Sequence, residues 1–292
     1  MIEAKPSATA YRVALRRAAH QMHDRSPLVF VDPLAVRILG PAAAQELAHV
    51  PNTDRKPHSA ALRAWIVARA RFAEEALAAA VAAAGTREVS QRRLQYLVLG
   101  AGLDTFALRN LFPEVRVFEV DHPATQEWKR QKLASAGLVM PKSARFVSVD
   151  FERQELAEEL QNAGFDPGIS TVTAWLGVVP YLTPAAFRST VDLLGRLMPG
   201  SAIVFDYAQP REVLLPVEQL MRDSLASRVA QAGEPFQLFF TPETLQAALL
   251  NAGVRVLEDL GSTELNMRYF AERTDGLQLL GSSGRLCHAV VP

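Results

Sequence analysis

One cysteine, Cys287, stands in the whole chain, so no internal disulfide can staple the fold and the core must hold it together. That suits a reducing compartment, and a cytoplasmic location is expected. Net charge is lacking as well: 31 basic residues meet 31 acidic ones, which leaves no global field to attract nucleic acid. Missing too is any apolar run approaching the roughly 20 residues that cross a bilayer. The best stretch, Ala61 to Ala84, is interrupted by Arg63, Arg69, Arg71, Glu74 and Glu75 and reads as an amphipathic helix or helix pair. The opening Met1-Ile2-Glu3-Ala4-Lys5-Pro6 does not have the charged-then-apolar layout of a signal peptide. Nucleic acid, membrane and metal are therefore not expected as partners. A small molecule or a peptide is. What is present is an ordinary globular composition, 49% hydrophobic and 21% charged, long enough to bury a real core without a partner.

The chain changes grammar near residue 88. From Ala8 to Gly85 apolar residues recur at helical spacing, with breaks at Ser26-Pro27, Asp32-Pro33, Gly40-Pro41 and between Pro51 and Pro57. Residues 1–88 are expected to form a helical lid that excludes water from a substrate site, and residues 89–292 a separate core. In that core short apolar runs alternate with helices. Strands are predicted at Gln95 to Gly100, Val115 to Val120, Ala144 to Val149, Thr171 to Leu176, Ala202 to Tyr207, Val254 to Leu260 and Arg285 to Val291. Helices are predicted at Pro123 to Ala136, Glu152 to Ala163, Pro184 to Leu197, Glu212 to Ala232 and Pro242 to Ala252. Such alternation implies crossover connections and a mainly parallel, doubly wound α/β sheet. Between the last two strands Gly261 to Gly284 shows no clear helix, so those strands are expected to pair antiparallel. A seven-stranded, mostly parallel sheet closing on an antiparallel hairpin is the Rossmann-like architecture of class I methyltransferases.

In a doubly wound sheet the ligand sits beyond the carboxyl ends of the strands, so the residues that follow each strand carry the chemistry. After the first strand comes Gly100-Ala101-Gly102, where glycine permits a sharp turn and close approach of a ligand. The third glycine of the dinucleotide fingerprint is absent, because Thr105 occupies its place. That argues against a pyrophosphate and so against a nicotinamide oxidoreductase, and toward an adenosine cofactor without phosphate. The second strand ends in Glu119-Val120-Asp121, about 20 residues on, where an acid grips ribose hydroxyls. Both acids share a face, and Asp121, at the very end, is the better candidate. The third strand ends in Asp150-Phe151, a carboxylate for an adenine amine and a ring for its apolar wall. Asp150 also suits the N-cap of the helix predicted from Glu152.

Several phrases together resemble the leucine carboxyl methyltransferase-like family, in its bacterial branch of S-adenosylmethionine-dependent methyltransferases. They are Arg17-Ala18-Ala19-His20, Pro27 to Ala35, Ala68 to Phe72, Val98 to Thr105, Phe118 to Pro123, Val149-Asp150-Phe151 and Trp175 to Leu182. The likeness extends over nearly all of the chain. It implies S-adenosyl-L-methionine as cofactor and an arginine before the first strand that clamps its carboxylate. Arg69 aligns with that arginine, and Arg71 is the reserve; two parallel hydrogen bonds from a guanidinium suit a carboxylate. Many relatives carry an acid before the glycine of the fourth-strand phrase. Here Leu176 precedes Gly177, so a backbone carbonyl near Gly100 or Leu176 is expected to meet the ammonium.

Methyl transfer needs the nucleophile and the methyl held in attack geometry, and a carboxylate, ionised at neutral pH, needs no base. Tyr181, after the fourth strand, is expected to orient the acceptor oxygen, with His20 as the second catalytic candidate; His23 and His122 are further bases, the last placed structurally by the Pro123 that follows. The expected activity is O-methylation of the carboxylate of a small metabolite or a peptide end. A protein that binds the cofactor structurally, or for other chemistry, is the alternative.

Overall fold

All six residues of the first strand are buried, which only a strand covered on both faces permits. The computed structural model describes residues 7–49, 57–85, 93–150 and 154–292. Its strands are β1 Leu94–Leu99, β2 Val115–Asp121, β3 Ala144–Ser148, β4 Thr171–Trp175, β5 Ala202–Ala208, β6 Arg255–Leu260 and β7 Gly284–Val290. They lie in the order β3-β2-β1-β4-β5-β7-β6. β1 to β5 run parallel, and β7 pairs antiparallel with both β5 and β6. Each expected strand is found within a residue or two of its predicted bounds. The sheet is that of a class I methyltransferase, and the strand order reverses between β1 and β4, the point where a crevice opens.

Around the sheet lie α1 Ala8–His23, α2 Ala35–Leu39, α3 Pro41–His49, α4 Pro57–Gly85, α5 Phe106–Arg109, α6 Pro123–Ser135, α7 Leu156–Asn162, α8 Pro184–Leu194, α9 Pro216–Gln231, α10 Pro242–Asn251 and α11 Ser262–Tyr269. Local chemistry sets several starts. Thr183 and Thr241 cap α8 and α10 with their hydroxyls just before a proline at the first helical position. Two expectations are corrected. α11 forms between β6 and β7, with the Glu264 carboxylate accepting the Gly261 amide at 2.9 Å, a cap hidden in a polar stretch. And α7 begins at Leu156 with Glu155 as its N-cap, so Asp150 is not the cap of that helix.

The period of two sorts the core. Tyr96, Val98, Val117, Val172 and Val204 face one side, against Val67, Phe72 and Leu77 of α4 and Leu265 of α11. Leu97, Leu99, Val120, Trp175 and Phe205 face the other, against α8 and α10. Phe72 is 2% exposed, and truncating such a ring costs about 3–5 kcal/mol. α4 is thus a layer of the core. The expected lid, residues 1–88, divides accordingly: α4 packs on the sheet, while α1 to α3 form a smaller cluster with Leu103 and Leu133.

Candidate active site

Gly100 and Gly102 have φ of +70° and +48°, the left-handed region in which a side chain is strained. A β-carbon on Gly100 would sit 2.3 Å from Cγ2 of Val178, and one on Gly102 would sit 3.1 Å from Cβ of Ala10 in α1. The loop is therefore pressed between the β4 loop and α1. Its amides are laced to the end of β2: Gly100 and Ala101 donate to the Val120 carbonyl, and Gly102 donates to Oδ2 of Asp121 at 2.6 Å. The helix that follows, α5, has four residues, with the Thr105 hydroxyl donating to Asp32. So short a helix offers little dipole to a phosphate.

Asp121 faces a cavity of 740 Å³ together with Gly100, Ala101 and Gly102. Its Oδ1 accepts the His122 amide at 2.7 Å. Burial raises its pKa, and the two amides oppose that rise. Glu119 is a different matter: it is 1% exposed and paired with Lys129 of α6 at 2.5 Å, a buried pair inside the fold. Of the two acids, Asp121 lines the cavity and Glu119 does not. Asp150 lines the same cavity, as does His122, whose Nδ1 caps α6 by accepting the Ala124 amide. Phe151 lies outside the described residues.

Arg69 projects from α4 to the ends of β4 and β5, where its Nη1 donates to Oδ2 of Asp206 at 2.8 Å. Oδ1 of Asp206 accepts the Gly177 amide at 2.5 Å, and the Trp65 indole donates to Oδ2. Gly177 has φ of +71°, and a β-carbon there would lie 2.6 Å from Nη2 of Arg69, so glycine makes room for the guanidinium. Asp206 was not anticipated from the sequence. The signal was present, for an acid inside the apolar run Ala202-Ile203-Val204-Phe205-Asp206-Tyr207 must be partnered. Arg71 points away, to Glu75 and the Val29 carbonyl. Leu176 lines the 740 Å³ cavity beside Gly177.

Tyr181 closes a 3-10 turn at Val179–Tyr181, with its ring 5.0 Å from that of Phe236. Burial pushes its pKa up to about 12, despite the neighbouring Thr9 hydroxyl and Arg69. It stays a hydrogen-bond donor at neutral pH. A second cavity, of 480 Å³, adjoins the first, and Thr9, Val13, Ile66, Arg69, Gly177 and Tyr181 line both.

His20 is not brought to either cavity. It is fully buried, Nδ1 is 2.7 Å from Asp24 and Nε2 accepts the Phe30 amide, so it fastens α1 to the segment after it. His23 likewise lines neither cavity. The family phrases around His20 form a charge network instead. Arg17 pairs with Asp104 at 2.7 Å and Asp32 at 2.8 Å, and Arg109 pairs with Glu74. Burial disfavours the Asp104 carboxylate, but Arg17 and Arg109 outweigh it and hold its pKa well below the usual range. Arg17, Glu74 and Asp104 also face the first cavity. The acids Asp104 and Glu74 thus line that cavity, each already paired with an arginine.

The model of the leucine carboxyl methyltransferase family matches residues 10–195, well over half of the chain. This chain belongs to the leucine carboxyl methyltransferase family. YktD of Bacillus subtilis, which carries the provisional name of an S-adenosyl-L-methionine-dependent methyltransferase, is 36% identical over 186 residues, 63% of this chain and 61% of YktD. A Mycolicibacterium gilvum protein named in the same provisional way is 33% identical over 213 residues, 68% of this chain and 66% of its own. The chain therefore spans less than two thirds of either relative's length. A DUF574 family protein of Streptomyces avermitilis superposes with a TM-score of 0.59 over 96% of this chain and 97% of that one, at 16% identity, a likeness of fold. The leucine carboxyl methyltransferase stretch ends as α8 closes, short of the nearly complete likeness expected. Asp206 and the part of the second cavity formed by residues 206–284 lie beyond it.

Proposed function

We propose that this leucine carboxyl methyltransferase family member binds S-adenosyl-L-methionine in the 740 Å³ cavity and methylates an oxygen acceptor, a carboxylate of a small metabolite or peptide end, in the cavity beside it. The observation that carries the reading is the Gly100-Gly102 loop tied to Asp121 in a space that Arg69 and Tyr181 connect to a second cavity. The donor set fits the group. Asp121 has two carboxylate oxygens for ribose hydroxyls, Asp150 an acceptor for the adenine amine, and the glycines leave a cradle that β-carbons would fill. Arg69, its plane held by Asp206 on one side, would take the methionine carboxylate. Its volume lies within the ordinary range for small-molecule pockets.

When bound, the cofactor supplies a methyl group already activated by a positively charged sulfur. The protein's task is then position and desolvation. Tyr181, protonated and facing both cavities, would donate to one oxygen of the acceptor carboxylate and leave the other to react. His20, the histidine expected there, is engaged elsewhere, which suits an acceptor that needs no base. One observation favours a hydroxyl acceptor as the second reading. His58 lines the second cavity, and burial together with Arg228 and Arg16 lowers its pKa, so it is neutral as a base must be.

The readings separate in the product. Incubation with S-adenosyl-L-methionine and a panel of carboxylic acids should release S-adenosylhomocysteine, and mild alkali should free the transferred methyl as methanol. A methylated product that survives alkali would be an ether or an amine and would end the carboxylate reading.

A further inference from the structure

The second cavity has a chemistry of its own. Its walls are largely apolar, with Trp65 and Ile66 from α4, Leu225 from α9, Phe236 and Leu280. Basic side chains enter from three helices: Arg12 and Arg16 from α1, His58 from α4, and Arg222 and Arg228 from α9. Arg12 and Arg16 are one helical turn apart and so share a face. Two acids are found among the described lining residues, and both are committed. Asp206 holds Arg69, Gly177 and Trp65, and Glu218 accepts the Leu215 and Ser282 amides and the Ser282 hydroxyl. The proximity of Arg16 and Arg228 to His58 is such that both depress its pKa. Positive charge from separate elements thus converges on an apolar chamber.

The outer wall is α9. Glu218, Met221, Arg222, Leu225 and Val229, at spacings of three and four, turn toward the chamber, yet of the sixteen residues only Val229 is buried. This helix lies outside the family-matched stretch.

We propose that the second cavity receives an amphipathic anion, with an apolar or aromatic body against Trp65, Leu225 and Phe236 and an anionic group, separate from the methyl-accepting oxygen, held by Arg12, Arg16 and Arg228. The placing of the accepting oxygen rests on the first cavity being the cofactor site; the anion site itself does not. A guanidinium cluster at the mouth of an apolar chamber selects ligands carrying both features, because neither apolar burial nor charge alone uses the whole surface.

The test uses the full chain and two fluorescent probes of nearly the same shape: 8-anilinonaphthalene-1-sulfonate, which carries an anion, and uncharged N-phenyl-1-naphthylamine. Titration should show tighter binding of the sulfonate, weakening with added salt. Arg228→Gln and Arg16→Gln should each weaken sulfonate binding by about fivefold, the upper scale of an exposed ion pair, and leave the uncharged probe unchanged. Equal affinity of the two probes in the wild-type protein, or sulfonate binding untouched in both variants, would overturn the proposal. Equal loss of both probes would overturn it as well, by showing that the arginines support structure. Calorimetry with S-adenosylhomocysteine on the same samples reads the first cavity independently: failure there removes the cofactor reading while the probe comparison still decides the anion site.

Discussion

At the scale of the residue, binding and structure are joined in single side chains. Asp121 already accepts two backbone amides at the turn it is proposed to share with a ribose. Asp121→Ala should therefore weaken S-adenosylhomocysteine binding by about 1.5–3 kcal/mol, the range for hydrogen bonds to a charged group, as isothermal calorimetry will read. Arg69→Lys keeps the charge but loses the fork between Asp206 and the cavity, so it too should bind weakly. Normal affinity in a folded Arg69→Lys protein would take Arg69 out of the site. Tyr181→Phe removes a donor and little volume. It should lower kcat and leave S-adenosylhomocysteine affinity near that of the wild type. Because burial lifts the tyrosine to about 12, a carboxylate-methylating enzyme should show a flat rate from about pH 6 to 9, whereas a histidine base brings a limb near or below about pH 6.5.

At the scale of the element, α1 decides how far the lid idea extends. It roofs the glycine loop, with Ala10 against Gly102, and it is pinned by buried ion pairs. Asp24, which follows it, meets Arg63 of α4 with both oxygens at 2.8 Å, and the Arg63 side chain is 5% exposed. Cutting away residues 1–24 would leave Arg63, Asp32 and Asp104 without these partners inside the protein, where each broken buried pair costs about 3–5 kcal/mol. A lid separate from the core, as the helical pattern of residues 1–88 led one to expect, would leave that core folded after such a truncation. The structure leads to the opposite expectation: the truncated chain should lose its cooperative thermal transition. A truncated protein that melts cooperatively and binds S-adenosylhomocysteine would restore the detachable lid.

At the scale of the whole molecule, the buried carboxylates make stability depend on acid. For Asp24, burial favours the neutral form, but hydrogen bonds from His20 and Arg63 prevail, so its pKa lies below the usual value in the folded protein. A carboxyl depressed on folding contributes stability that is complete above its unfolded pKa of about 3.9 and is lost as pH falls from there through the folded value. Asp121 and Glu119 are raised by burial and act in the opposite sense, stabilising below their unfolded pKa and losing that contribution as pH rises through the folded one. The depressed group is therefore best isolated by difference. Urea denaturation of Asp24→Asn should show a deficit against the wild type at pH 7 that shrinks as pH falls below about 4. A deficit independent of pH would mean that packing, not charge, is what Asp24 supplies.

Much of this was written in the chain. Apolar runs located each strand of the described residues, since a buried parallel sheet requires near-continuous apolar runs, as in Tyr96-Leu97-Val98-Leu99. The glycine turn and Asp121 were legible because strand order and chemistry there are local. α11 was not, for its cap lies in a polar segment with one buried residue, Leu265, and its other ties, such as the Tyr269 hydroxyl donating to Glu75 of α4, reach partners far away in sequence. The roles of charged groups depended on partners far away in sequence. His20 and Asp24 are four residues apart, but Arg63 is 39 residues from Asp24, Asp206 is 137 from Arg69 and Asp104 is 87 from Arg17. A pattern read along the chain assigns a face to each such residue. Which opposite charge meets it there, and so whether it binds a ligand or closes a buried pair, is decided by the packing of α1 and α4 against the strand ends.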